Sequence, residues 1–275
     1  MVRHLVFAAF ALYVTCGLLL NTPLYSFCVI SPSRKVEPAR FESITKADKE
    51  RFLINSGAEQ LQAWYFHVKG SKFLAVVHHG RGGNLYNKTF LAQQLIERGL
   101  SVLVYDYCGY GESSGNACLS TFVRDGTAVH DFATKELHYL PTNILIVGES
   151  IGTGPACAIA SARTSAGVLL QAPFTSLPAE AKSCFPILHV YPDWVFPQPR
   201  FENIEYVKTD HPPLLIIHGA KDRQIPVIHS RHLFEAASEP KTLVILPNAG
   251  HRNVGGADPE LFNFAISKFL TQVVR

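Results

Sequence analysis

The sequence contains no H-E-x-x-H, no C-x-x-C and no run of like charge. The first two absences remove the commonest zinc signatures. Basic residues are scattered and the formal net charge is only +3, which excludes a nucleic-acid surface as the organising feature. A G-x-G-x-x-G between the first parallel strand and its helix is also missing: "GYGESSG" has the wrong spacing and follows a later strand, against a dinucleotide-binding fold. Of 12 histidines, the adjacent His78 and His79 cannot both ligate one ion from a regular strand, because neighbouring strand residues face opposite ways. The pair His229 and His232 has no further ligand pattern beside it, so neither a metal nor a cofactor is expected. There is no internal repeat and no low-complexity tract.

Charge is also absent between His4 and Arg34. The run "LVFAAFALYVTCGLLL" continuing into "NTPLYSFCVI" is apolar over a length that reads as a membrane span. No A-x-A-like site follows it, so residues 1–30 are expected to be a retained single-pass anchor, with 31–39 a polar linker and 40–275 the catalytic domain. Arg3 precedes the span and Arg34, Lys35 and Arg40 follow it; the balance leans to a cytoplasmic catalytic part without deciding the side. Cys108 and Cys118 read either as free thiols or as a disulfide, the latter implying an oxidising compartment. Nothing in the sequence specifies an oligomeric state.

What is present is alternation. With 275 residues and 47% hydrophobic content, the chain can bury one large core. "FLAVVHHG", "SVLVYDY", "NILIVGE", "AGVLLQAP", "PLLIIHG" and "KTLVILP" are short apolar runs of the kind found in strands covered on both faces. Helical segments separate them, among them "NKTFLAQQLIERG", stopped by Gly99, and "DPELFNFAISKFLTQVV", opened by Asp258 as N-cap and Pro259 in the first turn. The expected fold class is α/β, a mostly parallel central sheet flanked by helices. "ARFESIT" and "AEQLQAWYFHV" are expected to form an antiparallel entry to it, and the Pro- and aromatic-rich stretch 174–210 a small lid.

The pattern G-x-S-x-G occurs twice, as "GESSG" (111–115) and "GESIG" (148–152). A nucleophile elbow needs its serine on a tight turn leading directly from a buried strand into a helix of small residues. Ser150 satisfies this between "ILIV" and "IGTGPACAIASA". Ser113 lies in a glycine-rich loop several residues beyond its strand and is read as a loop hydrogen-bonding residue. A serine at its free pKa is a weak nucleophile and needs a base oriented by an acid. Asp222 follows the strand "LLIIHG" and His251 follows "LVILP", so all three residues fall at the carboxyl edge of the sheet in the order Ser, Asp, His. Oxyanion donors are expected from the backbone N–H of Ile151, directly after the serine, and of Arg81 in the "HHGRGGN" loop.

Together, "HHGRGGN", "DYCGYGESSG", "GESIGTG", "APFTSL", "IIHGAKDRQIP" and "NAGHRN" resemble the α/β-hydrolase superfamily, from about residue 40 to the C-terminus. The group they are most similar to is the small-lidded α/β-hydrolase-domain or serine-aminopeptidase-like proteins, many of which carry an N-terminal membrane anchor. The resemblance implies a catalytic triad of Ser150, Asp222 and His251, with Arg81 and Ile151 at the oxyanion positions. Cys108 departs from it, standing where such proteins commonly have arginine, and Arg81 replaces a usual small polar residue. The expected activity is acyl-enzyme hydrolysis of an ester or thioester of a small acyl substrate. Phe185, Leu188, Trp194 and Phe196 of the lid are candidates for the acyl pocket. Amide hydrolysis and a silent membrane-tethered binding module are the alternatives.

Overall fold

The computed structural model describes residues 11, 13–15, 17–20, 22–42, 44 and 47–274. Its centre is an eight-stranded sheet: β1 (Asp48–Ser56), β2 (Glu59–His67), β3 (Leu74–His78), β4 (Ser101–Tyr105), β5 (Ile144–Glu149), β6 (Gly167–Gln171), β7 (Leu214–Gly219) and β8 (Lys241–Leu246). The spatial order is β8-β7-β6-β5-β3-β4-β2-β1. Strands β3 to β8 are mutually parallel, while β2 runs antiparallel to both β4 and β1. The antiparallel entry begins at Asp48; Ser43 and Thr45 of "ARFESIT" lie outside the described residues, and its described residues carry no strand: Pro38–Phe41 forms a 3₁₀ turn whose Phe41 is buried against Trp64, Phe66 and Tyr86.

Alternation along the parallel strands divides the core. Ala75, Val77, Leu145 and Val147 face one side, where helices Thr89–Ile96 and Pro259–Val273 cover them. Leu74, Val76, Ile144 and Ile146 face the other, beneath helices Phe122–Lys135 and Thr153–Ala162. Continuous apolar strands are required by this two-sided burial. Asp258 stands at the N-cap position of the last helix, yet its carboxylate bonds the backbone N–H and the side chain of Asn248 instead of the helix's own amides.

The chain leaves β3 toward β4 on one side and returns to β5 on the other. Loops following β3 and β5 therefore diverge from adjacent strand ends, with His78 opposite Gly148 in register. Such a switch point opens a crevice at the carboxyl edge of a parallel sheet, where ligands bind in open α/β sheets.

The N-terminal expectation needs correcting. Among the described residues no helix is long and apolar enough to cross a membrane. The apolar run is interrupted at Thr22, whose hydroxyl bonds the Leu19 carbonyl, and Pro23 starts a separate helix of only seven residues, Pro23–Val29. A proline that cannot continue the preceding helix explains the break. The run is also held on the domain: Tyr13 stacks on Tyr191 at 4.6 Å, Tyr25 is buried edge-on to Phe196, and Ile30 is buried. Residues 1–10, Leu12, Cys16 and Asn21, which belonged to the same expectation, lie outside the described residues.

The "linker" beyond it is structured too. Ser31 and Pro32 form a short parallel ladder with Gly82 and Gly83, and Arg34 donates to the carbonyls of Ser113 and Gly115 at 2.8 Å each. Cys28, Cys108, Cys118, Cys157 and Cys184 are all free thiols.

Candidate active site

Strand β5 ends at Glu149, and Ser150 follows in the left-handed region with φ of 54° before the chain turns through Ser150–Gly152 into helix Thr153–Ala162. A non-glycine residue is strained there, and the surroundings must hold it. Two contacts do so. The Thr153 hydroxyl donates to the Ser150 carbonyl at 2.7 Å, and Asn203 donates in turn to Thr153 Oγ1 and to the Phe174 carbonyl. Close approach requires small neighbours: a Cβ on Gly152 would lie 2.1 Å from the His78 carbonyl oxygen.

The structure brings Ser150, His251 and Asp222 into one hydrogen-bonded chain. Ser150 Oγ is 2.9 Å from His251 Nε2, and His251 Nδ1 is 2.7 Å from Asp222 Oδ2. The other carboxylate oxygen of Asp222 accepts the backbone N–H groups of Gln224 and Ile225 at 2.8 and 2.9 Å. An Asx-type turn and the contact to His251 are thus combined in one side chain. Burial works to raise the Asp222 pKa, but it is outweighed by hydrogen bonds from His218 and His251 and from the Ile225 amide, which hold it well below the usual carboxylate range.

His218 was not singled out by sequence reasoning. It is wholly buried at the end of β7, with Nε2 2.9 Å from the Ile225 carbonyl and 3.2 Å from Asp222 Oδ2, and Nδ1 2.6 Å from the Ser230 hydroxyl. The available signal was a histidine closing a buried strand four residues before the candidate acid.

Ser113, the rejected serine, is fully buried: its hydroxyl donates to the Asp106 carbonyl and accepts the Gln62 N–H. Arg81 lies in the loop after β3, and this loop abuts the elbow, with a Cβ on Gly80 placed 3.4 Å from Ser150 Cβ. The Arg81 carbonyl is pinned from two sides, by Ser31 N–H and by Tyr110 OH, each at 2.9 Å. Nothing in "SPSR" announced this contact, because the partner strand lies fifty residues away. Ile151 is buried beside the serine.

Around Ser150 the surface opens into a cleft with two lobes. One, of about 380 Å³, is walled by Val29, Ile151, Phe174, Leu177, Ala181 and Ile225, with Phe185 at its rim. The other, of about 490 Å³, is walled by Gly82, Gly83, Asn87, Lys88, Glu149 and Arg252. Lys88 and Glu149 form a buried pair at 2.8 Å; burial works to raise the Glu149 pKa, but the ammonium outweighs it and lowers the value. Of the four lid residues expected in an acyl pocket, only Phe185 borders the cleft. Leu188 packs within the lid, and Phe196, 2% exposed, is buried against Tyr25. Trp194 is 76% exposed on the outer surface. The apolar wall is supplied instead by Phe174, Leu177 and Ala181 at the start of the same stretch, with Val29, Ile151 and Ile225 from other elements.

Comparison with known proteins places this architecture. Residues 70–211 match the family model described as serine aminopeptidase, S33. An uncharacterized protein of Mycobacterium tuberculosis is 32% identical over 232 residues, covering 84% of this chain and 82% of that one. The chain belongs to the S33 serine aminopeptidase family of α/β hydrolases. Within the same fold, human alpha/beta hydrolase domain-containing protein 17B is 30% identical over 67% of this chain and 62% of its own. Among solved structures, an esterase of Pyrococcus furiosus superposes with a TM-score of 0.73 at 18% identity, over 90% of this chain and 99% of the other. An α/β hydrolase from Vibrio vulnificus gives 0.70 at 18%, over 92% and 93%. Membership makes the protein a hydrolase of the α/β-hydrolase type.

Proposed function

We propose that the protein is a serine hydrolase that cleaves ester or thioester bonds of small acyl substrates through an acyl-enzyme. The observation that carries this reading is the continuous contact from Asp222 through His251 to Ser150 Oγ. His251 Nε2 accepts the hydroxyl proton as Oγ bonds to the substrate carbonyl carbon. Negative charge moves to the carbonyl oxygen, where the backbone N–H groups of Ile151 and Arg81 are the proposed donors. Collapse of the tetrahedral species breaks the bond to the leaving oxygen or sulfur, which takes the proton from His251. Water then repeats the sequence: its proton passes to His251, its oxygen attacks the acyl carbon, and Ser150 leaves reprotonated. Asp222 orients the imidazole and balances its charge while protonated. The apolar lobe supports a short or medium acyl chain, and the esterase among the fold neighbours accords with ester cleavage.

The test is labelling with a fluorophosphonate probe, followed by turnover of a chain-length series of esters and thioesters beside peptide amides. Labelling of Ser150, absent in Ser150→Ala and retained in Ser113→Ala, is the expected result. Folded protein that resists the probe, or retains turnover without Ser150, overturns the proposal. Faster cleavage of the amides would replace the ester reading by a peptidase one.

A further inference from the structure

The charges around Ser150 are unbalanced. Arg81 and Arg252 line both lobes of the cleft, and Arg223 lines the apolar one. Among the described residues none of the three has a carboxylate within ion-pair distance; Arg34, Arg98 and Arg231 also lack one, but they do not line the cleft. Two carboxylates stand in the cleft walls: Glu149 in the polar lobe, paired with a lysine, and Glu180 in the apolar lobe, beside a histidine and a thiol. Glu149 is 2.8 Å from Lys88 Nζ, and Glu180 is 3.1 Å from His229 Nε2 and 3.2 Å from Cys184 Sγ. The mouth of the site therefore carries three exposed guanidinium groups in a protein whose overall formal charge is only +3.

The lobes also differ in kind. An acyl chain matches the wall of Val29, Ile151, Phe174, Leu177 and Ile225. The leaving group, protonated by His251, is then directed to the second lobe, which His251 also borders and which is polar. It is bordered by Gly82 and Gly83, and its volume of about 490 Å³ leaves room for a branched or tetrahedral group. Guanidinium forks match the planar oxygens of carboxylate and phosphate.

We propose that the substrate's leaving group is anionic: an alcohol or thiol bearing a carboxylate or a phosphate, held in the polar lobe by Arg252 and attracted there by Arg81. This rests on the serine-hydrolase reading and specifies its substrate class. Such a substrate is apolar at its acyl end and charged at the other; the cleft offers an apolar wall on one side of the serine and a more polar one on the other, with Arg81 and Arg252 bordering both.

The experiment uses the full chain and three esters of one medium-chain acid: with a neutral diol, with the matching hydroxy carboxylate, and with the matching hydroxyalkyl phosphate. At low ionic strength kcat/KM is expected to favour at least one anionic ester by about tenfold, and the preference is expected to collapse near about 0.5 M salt, where screening acts within a few ångströms. Which anionic ester is preferred distinguishes carboxylate from phosphate recognition. Arg252→Gln is expected to lower the anionic rate far more than the neutral one, with Arg252→Lys retaining part of the preference. In parallel, the free hydroxy carboxylate and hydroxyalkyl phosphate are expected to slow fluorophosphonate labelling of Ser150 in a salt-sensitive manner. Ser150-dependent turnover with no anionic preference overturns this inference and leaves the hydrolase reading standing. Labelling without turnover of any ester or protection by either anion does the same. Folded protein that neither labels nor turns over ester removes both.

Discussion

His218 Nε2 stands 3.2 Å from Asp222 Oδ2, the same oxygen that lies 2.7 Å from His251 Nδ1. One carboxylate oxygen is thereby shared between a wholly buried histidine and the histidine facing the serine. His218 is tied at its other nitrogen to Ser230, so it is a fixed post against which the acid is held. Support of this type sets the orientation of a functional side chain as firmly as its own rotamer does.

Replacing that post has a defined consequence. In His218→Gln, Asp222 loses a donor that favours its charged form, and its carboxyl titration followed by carbon NMR is expected to move upward in pH. Turnover should fall by about tenfold with KM little changed, since in the proposed mechanism Asp222 acts only through His251. An unmoved titration midpoint would show that the backbone N–H groups of Gln224 and Ile225 suffice.

Direct removal should cost more. Ser150→Ala is expected to abolish turnover, and Asp222→Asn to lower kcat by about ten-thousandfold, the scale seen when an orienting acid becomes an amide. Circular dichroism and urea midpoints measured alongside will separate loss of chemistry from loss of fold.

The strap at Ser31 is testable through its hydrogen bonds. Ser31→Pro deletes the N–H that reaches the Arg81 carbonyl, and Tyr110→Phe deletes the hydroxyl that reaches it from the other side. Each is expected to lower kcat by about threefold to tenfold with KM retained, because misaimed oxyanion donors are felt in the transition state and not in the ground state. Together they should exceed the product of the single effects. A loss confined to KM would mean that the strap shapes the cleft without aiming the loop.

Buried histidines make stability sensitive to mild acid. Burial pulls the His78 pKa down to about 3 and that of His130 below its ordinary value. The unfolded chain binds protons at both positions once pH falls below about 6.5, while the folded chain does not. Their contribution is thus fully present above that pH and is lost progressively toward the folded values, so the urea midpoint should decline between about pH 6.5 and 4. The decline should be shallower in His78→Gln, in which one of these proton sites is gone. The depressed Asp222 and Glu149 carboxylates lose their contribution only at lower pH.

Gly152→Ala is expected to destabilise the protein by more than about 2 kcal/mol, since its Cβ would meet backbone and not a movable side chain. Gly82→Ala, with open space at its Cβ, should be nearly neutral in stability.

Legibility in the sequence followed the range of the interactions involved. The elbow's signal is local: a buried strand, a serine and small helical residues within twenty positions imply the turn at Ser150, although distant residues such as Asn203 help to hold it. The parallel strands were legible because burial on both faces leaves each one continuously apolar. The first antiparallel strand was misplaced into "ARFESIT", for Phe41 is apolar through packing on Trp64, Phe66 and Tyr86 and not through strand alternation. Residues 13–30 were misread for a similar reason. Their apolar side chains are in part spent on Tyr191 and Phe196, and hydropathy alone does not distinguish a protein surface from lipid.

By itself the sequence determined the α/β fold class and the order in which serine, acid and histidine leave successive strand ends, since both follow from short-range pattern and from the period of strand and helix. Tertiary structure alone decided that Ser31 pins the Arg81 loop, that His218 supports Asp222, that Phe185 borders the cleft while Trp194 faces outward, and that three arginines, without acid partners among the described residues, line the cleft around Ser150. Each of these depends on how far-separated segments approach one another, which is set by packing across the sheet and leaves no periodic trace along the chain.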